Sequence, residues 1–140
     1  MSVESNWYQN AIFYQVYPRS FMDSNGDGYG DFQGLISRLD YICGLGVDCI
    51  WLQPMYPSPL RDDGYDISDY KGVYAPFGTI QDFKRLVHEV HARRMRLISD
   101  LVINHCSSDH PWFQAARNDP SSKYFDYFVW SKQRDRKSVV

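Results

Sequence analysis

The chain has 140 residues, of which 44% are hydrophobic and 16% aromatic, and its formal net charge at pH 7 is −2. This length suits one compact unit, since single domains commonly run to about 100–150 residues. The hydrophobic share excludes a disordered chain, and the near-neutral charge argues against a surface built to bind nucleic acid.

Targeting and membrane signals are missing from the sequence. Residues 1–10 are polar and carry Glu4, so they lack the basic start and the apolar run of a secretory signal. No apolar run approaches the roughly 20 residues that span a membrane. The cysteines Cys43, Cys49 and Cys106 leave one thiol unpaired in any disulfide scheme. We therefore expect reduced thiols in a cytoplasmic protein that has neither a nucleic-acid nor a membrane partner.

The first half of the chain predicts a strand, a helix and a second strand. Residues 11–17 form an apolar, aromatic run that ends at Pro18, which indicates a buried strand. From Asp31 the apolar residues recur at helical spacing until Gly46, a typical C-terminal cap, and predict one helix. The short apolar run Cys49–Leu52 predicts the second strand.

A second helix and a third strand follow. Thr79 and Asp82 have the spacing of a capping box, and the apolar stripe that starts there ends near Arg93 and Arg94. Residues 96–103 are largely apolar and predict the third strand. The order β-α-β-α-β implies parallel strands joined by right-handed crossovers. A doubly wound sheet and a (β/α)8 barrel both satisfy this order.

The link 53–78 has neither a helical nor a strand period. Ordinary links in such folds have about 2–6 residues, and longer ones are usually functional. This link follows a strand, and in both architectures the loops after the strand ends build the ligand site.

Residues 23–31 (DSNGDGYGD) place oxygen side chains at every second position up to Asp27 and again at Asp31. This spacing suits Ca²⁺, which takes about 6–8 oxygen ligands. An EF-hand is excluded because the twelfth position of the loop is Gly34 and not Glu. A phosphate-binding loop is disfavoured because its three carboxylates would repel the phosphate. The alternative is an Asp-rich turn that binds no ion.

The long link and the end of the third strand contain candidate sugar-binding residues. Aromatic rings stack on the C–H faces of sugars and carboxylates accept hydrogen bonds from hydroxyls, so Asp63 and Tyr65 suit a carbohydrate. Alternatively, Tyr65 packs into the barrel rim and the acids cap turns. Asp100 lies inside the predicted third strand and needs a partner, such as an arginine from another strand.

Histidines offer a further set of candidates. His105 follows the third strand, where barrel enzymes have their sites. Alternatively, it is an ordinary histidine of the barrel rim. His88 and His91 lie on the second helix and are interpreted as surface residues. A zinc site of His105, Cys106 and His110 ranks last, because its spacing matches no strong zinc pattern.

Four segments in this order resemble the α-amylase superfamily of glycoside hydrolases and transglycosidases: 23–31, 46–54, 63–67 and 100–105. The resemblance extends from about Trp7 to Trp130. It implies an α/β fold in which residues 1–105 are the N-terminal portion, about three βα units, of a TIM (β/α)8 barrel. Residues 106–140 would then begin a subdomain inserted after the third strand. The segment Arg38-Leu39-Asp40 echoes a nucleophile motif, but it lies in the first helix and is rejected.

The resemblance also implies roles for particular residues. A structural Ca²⁺ would be held by Asp23, Asn25, Asp27, Asp31 and the carbonyl of Tyr29, and Asn104 would bind a second calcium ion. Asp63, Tyr65 and His105 would line the subsite for the transferred glucosyl ring, and Asp100 would support the carboxylate–arginine network of the site.

Segment 58–65 is most similar to the trehalose synthase branch, since oligo-1,6-glucosidases and sucrose isomerases tend to carry Asn between the Asp and the Gly. This implies interconversion of maltose and trehalose by retaining glucosyl transfer, with an α-linked glucose disaccharide or oligosaccharide as substrate. The alternatives are a hydrolytic α-glucosidase and a non-catalytic protein that keeps calcium or sugar binding.

The nucleophile and the acid/base of the superfamily follow its fourth and fifth strands. We therefore expect these 140 residues alone to be inactive and to fold poorly. The ending 137–140 is interpreted as a truncation or a shifted reading frame.

Overall fold

The computed structural model describes residues 6–131, so the predictions for the first five residues and for 132–140 lie outside it. Its strands and helices are, in chain order, β1 (Phe13–Val16), α1 (Pro18–Phe21), α2 (Phe32–Ser37), α3 (Leu39–Gly44), β2 (Cys49–Leu52), α4 (Ile80–Ala92), β3 (Arg96–Ser99) and α5 (Pro111–Asn118). Short 3-10 turns cover Trp7–Gln9, Ala75–Phe77 and Phe125–Tyr127. Within 6–131, no helix combines the length and the apolar character that crossing a membrane requires.

The strands form one parallel sheet in the order β1-β2-β3. Phe13 pairs with Cys49, which in turn pairs with Arg96, so the three strands start at the same level. This confirms the predicted β-α-β-α-β order. It also brings the C-terminal ends of all three strands to one edge of the sheet.

Alternate residues divide the sheet into a covered face and an open face. Val16, Ile50 and Leu52 lie on one face and belong to a fully buried cluster. The helices supply the rest of this cluster, which includes Phe32, Leu35, Leu39, Ile42, Leu86 and Val90. On the opposite face Phe13 and Ile98 remain 39% and 38% exposed. The core therefore lies between the sheet and the helices of one side.

The single helix predicted from Asp31 is wrong, because the chain forms two short helices with a break at Arg38. The hydroxyl of Ser37 donates to the Gly34 carbonyl at 2.6 Å, and the Arg38 N–H donates to the Leu35 carbonyl at 3.0 Å. Both bonds span three residues, so they tighten the last turn of α2 and end it. The Ile42 N–H then bonds to the Arg38 carbonyl at 3.1 Å and α3 continues on the buried side.

The third strand is shorter than predicted, since it ends at Ser99 and not at residue 103. The Asp100 N–H still reaches the Leu52 carbonyl at 3.3 Å. Beyond it, Leu101 and Ile103 are 69% and 83% exposed, and no strand within 6–131 pairs with them. Asp100 therefore follows the strand and does not lie in its interior.

Helix α4 begins as predicted. The Asp82 N–H donates to the Thr79 hydroxyl at 3.2 Å, and the Thr79 N–H donates to the Asp82 carboxylate at 2.8 Å, which completes the capping box. His88 and His91 are exposed on this helix, which confirms their interpretation as surface residues.

Candidate functional site

A pocket of about 360 Å³ opens where β2 and β3 end. Ligand pockets have volumes of about 300–1,000 Å³, so this one is large enough for a small molecule. Its lining residues are Asp62, Tyr65, Asp100, Leu101, Val102, Asn104 and His105. Three of the four predicted sugar-binding residues, Tyr65, Asp100 and His105, therefore meet in one place.

Asp100 joins three parts of the chain at this pocket. One carboxylate oxygen accepts a hydrogen bond from the Trp51 indole N–H at 2.7 Å, and the other accepts from the Tyr65 hydroxyl at 2.8 Å. Within residues 6–131 its partners are thus a tryptophan and a tyrosine, and its support of a carboxylate–arginine network stays a prediction. Burial and the bond to Asp100 raise the pKa of Tyr65, so its hydroxyl remains a proton donor at neutral pH.

His105 faces a carboxylate that the sequence analysis did not select. Its Nε2 atom lies 3.8 Å from Oδ2 of Asp62. The amide Nδ2 of Asn104 lies 2.6 Å from Nδ1 of the same ring. If that amide donates, Nδ1 is the acceptor and Nε2 carries the proton toward Asp62. The pocket then presents a carboxylate acceptor beside an imidazole donor, a pair suited to sugar hydroxyls.

Asp63 occupies a different position from its neighbour Asp62. It is exposed, it has a left-handed backbone with φ of 48°, and it is not one of the residues that line the pocket. The two adjacent acids Asp62 and Asp63 indicated a carboxylate in the sugar-binding loop. Only the path of the turn decides which of the two side chains lines the pocket. The sugar-binding role of Asp63 stays a prediction.

Asp66 shapes the loop that carries Asp62 and Tyr65. Its buried carboxylate accepts from the Ser58 hydroxyl at 2.5 Å and from the Arg61 N–H at 3.1 Å. Burial alone would raise the pKa of Asp66, but these hydrogen bonds prevail and hold it below its ordinary value. Its contribution to stability is therefore present at neutral pH and is lost as the pH falls through the pKa of the folded state.

The predicted calcium loop closes on its own backbone in this structure. Asp23 accepts from the N–H groups of Gly26 at 2.7 Å and Gly28 at 2.8 Å, and bonds from Gly28 and Gly26 lower the pKa of Asp23. Asp27 accepts from the Tyr29 N–H at 2.8 Å and from the Asn25 amide at 3.1 Å. The predicted side-chain ligands in this segment are therefore already hydrogen-bonded.

Asp31 serves the helix as well as the loop. Its carboxylate is buried, accepts from the Gly34 N–H at 2.6 Å and so caps the start of α2. The second oxygen accepts from the Ser24 hydroxyl at 2.8 Å. The oxygen-only donor set suits a hard cation. However, no three His, Cys, Asp or Glu side chains within 6–131 are grouped as a metal site would require, and this includes His105, Cys106 and His110.

A predicted calcium ligand lines the pocket, whereas no glutamate of the described range does. Asn104, the predicted ligand of a second calcium ion, is exposed and contacts His105. Glu89 lies on α4, where it pairs with Arg93 at 2.9 Å, and no glutamate of the described range lines the pocket. The inactivity of the 140 residues alone and the boundary at 105/106 both stay predictions.

Comparison with known proteins identifies the fold. Residues 15–139 match the family model of the alpha amylase catalytic domain. The chain is 51% identical over 135 residues to the oligo-1,6-glucosidase of Bacillus cereus, covering 96% of this chain and 24% of that protein. It is 52% identical over 136 residues to the trehalose synthase/amylase TreS of Mycolicibacterium smegmatis, covering 97% of this chain and 23% of that protein.

Solved structures also match this chain. A mutant of MutB in complex with the substrate sucrose matches with a TM-score of 0.89 at 51% identity, covering 96% of this chain and 24% of that one. The trehalose-6-phosphate hydrolase of Bacillus licheniformis matches with a TM-score of 0.88 at 45% identity, covering 91% and 23%. The chain thus spans about a quarter of the length of these relatives. Its three strands and their helices are the N-terminal portion of a TIM (β/α)8 barrel, and the chain belongs to the α-amylase catalytic domain family.

Proposed function

We propose that this segment forms the glucosyl-binding wall of an enzyme that acts on α-linked glucose disaccharides or oligosaccharides. The observation that carries the proposal is the convergence of Asp62, Tyr65, Asp100 and His105 at the C-terminal edge of a parallel sheet. Barrel enzymes have their active sites at this edge. The carboxylate of Asp62 accepts hydrogen bonds from sugar hydroxyls, the imidazole of His105 donates one, and the ring of Tyr65 covers a C–H face.

The proposed chemistry is retaining glucosyl transfer. That reaction uses a carboxylate nucleophile and a carboxylic acid about 5–5.5 Å apart. Asp100 already accepts hydrogen bonds from Trp51 and Tyr65, and the resemblance implies a nucleophile and an acid/base after the fourth and fifth strands, so we assign binding and not bond cleavage to this segment. Asp100 holds the Tyr65 hydroxyl at 2.8 Å and thereby orients the ring.

Two reactions remain in competition. Similarity of segment 58–65 supports a trehalose synthase that interconverts maltose and trehalose, and a hydrolytic α-glucosidase is the alternative. Overall identity does not separate them, because the values for the two relatives are 52% and 51%. Isomerisation requires the site to exclude water while the released glucose reorients. A cytoplasmic location is part of the proposal and is supported by the three free cysteines.

Hybrid enzymes test both reactions. In one hybrid, residues 6–131 replace the matching segment of the Mycolicibacterium smegmatis trehalose synthase, and in the other they replace that of the Bacillus cereus oligo-1,6-glucosidase. Each hybrid is assayed with maltose for trehalose and for glucose. Trehalose from the first hybrid at the rate of its parent supports the synthase, whereas predominant glucose release supports the hydrolase. Two folded hybrids without any activity would contradict the proposed function.

We predict that Asp62→Asn in the active hybrid lowers kcat/KM about tenfold to hundredfold. The reason is that hydrogen bonds to a charged group are worth about 1.5–3 kcal/mol, and only Asp62 of the two adjacent acids lies beside His105. Asp63→Asn is the matched variant, with the same change of charge one residue along the chain. Steady-state kinetics of the two variants with maltose show which of the two acids contributes more to substrate binding. A larger loss from Asp63→Asn would restore the assignment made from the sequence.

We further propose that residues 23–31 bind a structural Ca²⁺ through Asp23, Asn25, Asp27, Asp31 and the carbonyl of Tyr29. The donor set supports this, since it consists of oxygen atoms within nine successive residues. Asp23 and Asp27 would have to exchange bonds from loop N–H groups for bonds to the ion. Asn104 is proposed as a ligand of a second calcium ion.

Calorimetric titration of the 140-residue chain with calcium chloride should give binding at one site per chain. Asp27→Ala should abolish the heat, because it removes a charged ligand from the middle of the loop. Asp126→Ala is the control, since this exposed carboxylate lies in a distant 3-10 turn. A folded sample that gives no heat, or the same heat after Asp27→Ala, would show that the segment is an Asp-rich turn that binds no ion.

A further inference from the structure

We propose that Tyr70 is the positioning residue for His105, an inference that rests on the proposed sugar-binding role of that histidine. Tyr70 is not one of the residues that line the pocket described above, but its hydroxyl reaches the segment that carries His105. Its hydroxyl oxygen lies 2.8 Å from the Val102 carbonyl oxygen and 2.9 Å from the His105 carbonyl oxygen, so the two acceptors share its single proton. One side chain thus holds both ends of the segment 102–105.

The segment has little other support. The Asp100 N–H bonds to Leu52 before it, and the Ser107 N–H bonds to Ile67 at 2.9 Å after it. Between these points, Tyr70 is the only group of the described residues that hydrogen-bonds to the backbone of 101–106. Val102 is buried, whereas the side chains of Leu101 and Ile103 are largely exposed, so packing holds the segment only near its start. At the other end of the segment, the backbone of His105 is held by the Tyr70 hydroxyl group.

Tyr70 is itself well anchored. Its ring contacts the rings of Tyr56, at a centroid distance of 6.0 Å, and of His110, at 5.8 Å. Burial raises the pKa of Tyr70, so the hydroxyl remains a donor over the neutral range. A rigid donor opposite two carbonyls restricts the backbone at His105, and this keeps the imidazole near Asp62.

The first test uses the 140-residue chain with ¹³C-labelled histidine, whose four imidazole signals report separately on His88, His91, His105 and His110. Tyr70→Phe removes only the hydroxyl group. We expect the His105 signal to shift or broaden, while the signals of His88 and His91, which are exposed on α4, remain in place. Tyr56→Phe is the matched control, because it removes a hydroxyl from the neighbouring ring without touching the segment.

The result that overturns the proposal is an unchanged His105 signal in folded Tyr70→Phe. Equal changes at all four histidines would also overturn it, because they indicate a general structural role. If the variant does not fold, wild-type protein still decides: the Tyr70 hydroxyl proton must exchange slowly with solvent, and rapid exchange contradicts the bonds to both carbonyls. If the isolated chain gives no folded spectrum, the same signals are recorded in the hybrid enzyme.

Kinetic measurements test whether the positioning of His105 by Tyr70 affects turnover. In the active hybrid, Tyr70→Phe should lower kcat/KM for maltose about fivefold to tenfold, as expected for the loss of one uncharged hydrogen bond of about 1 kcal/mol. Tyr56→Phe should change kcat/KM by less than about twofold. Unchanged kcat/KM in Tyr70→Phe would refute the link to turnover. A hybrid that is inactive with Tyr70 intact contradicts the proposed function instead, and the His105 signal then remains the test of this inference.

Discussion

Gly34→Ala is expected to prevent the first βα unit from folding, at a cost of more than about 3 kcal/mol. A Cβ atom at Gly34 would lie 2.0 Å from the Met22 carbonyl oxygen and 2.8 Å from the Met22 carbonyl carbon. These are backbone atoms, and the Met22 oxygen is also fixed by the Asp31 N–H at 3.0 Å. Neither partner can rotate away, so α2 would have to move off the chain that it packs against.

Gly44→Ala provides the matched control in the neighbouring helix. An added Cβ there would meet no atom within 4 Å. Since alanine favours helices over glycine by about 0.8–1 kcal/mol, this variant should be neutral or slightly stabilised. Soluble yield and melting temperature of the hybrid enzyme measure both changes. A Gly34→Ala hybrid with the same melting temperature as the parent hybrid would mean that the close approach of Gly34 to Met22 is not maintained in the protein.

Asp100→Ala should lower kcat/KM of the hybrid by at least about a hundredfold and destabilise it by about 2–4 kcal/mol. The change removes the acceptor for both the Trp51 N–H and the Tyr65 hydroxyl. Each of these partly buried donors would then lack its partner, which costs about 1–3 kcal/mol per group. The Tyr65 ring would also lose the bond that orients it toward the pocket.

Asp100→Asn separates the shape of the side chain from its charge. An amide oxygen can still accept from Trp51, whose N–H can only donate, while the amide nitrogen would face a Tyr65 hydroxyl that can rotate to accept. This variant should therefore retain most of the stability and lose about tenfold in kcat/KM. Asp126→Ala, at an exposed turn, should change neither quantity. An Asp100→Ala hybrid with the stability and the activity of its parent would refute the assignment of Asp100 as the acceptor that joins Trp51 and Tyr65 at the pocket.

The elements that were predicted well are those whose signals are local. The capping box of Thr79 and Asp82 spans three residues, and both of its hydrogen bonds form as the spacing predicted. The strand Cys49–Leu52 was predicted with its observed bounds. By contrast, the break at Arg38 was not predicted, because the bonds of the Ser37 hydroxyl to the Gly34 carbonyl and of the Arg38 N–H to the Leu35 carbonyl are visible only in the structure.

The sequence by itself determined the order of strands and helices and the edge at which the candidate site lies. Both follow from periodicity and from the rule that parallel strands end together. The resemblance to the α-amylase superfamily added Tyr65, Asp100 and His105 as predicted site residues, and all three line one pocket. The tertiary structure decided which of Asp62 and Asp63 faces the histidine, and what Asp100 binds. The partners of Asp100 are 49 and 35 residues away along the chain. No pattern of neighbouring residues encodes such contacts, because they depend on how the long loop turns over the ends of the strands.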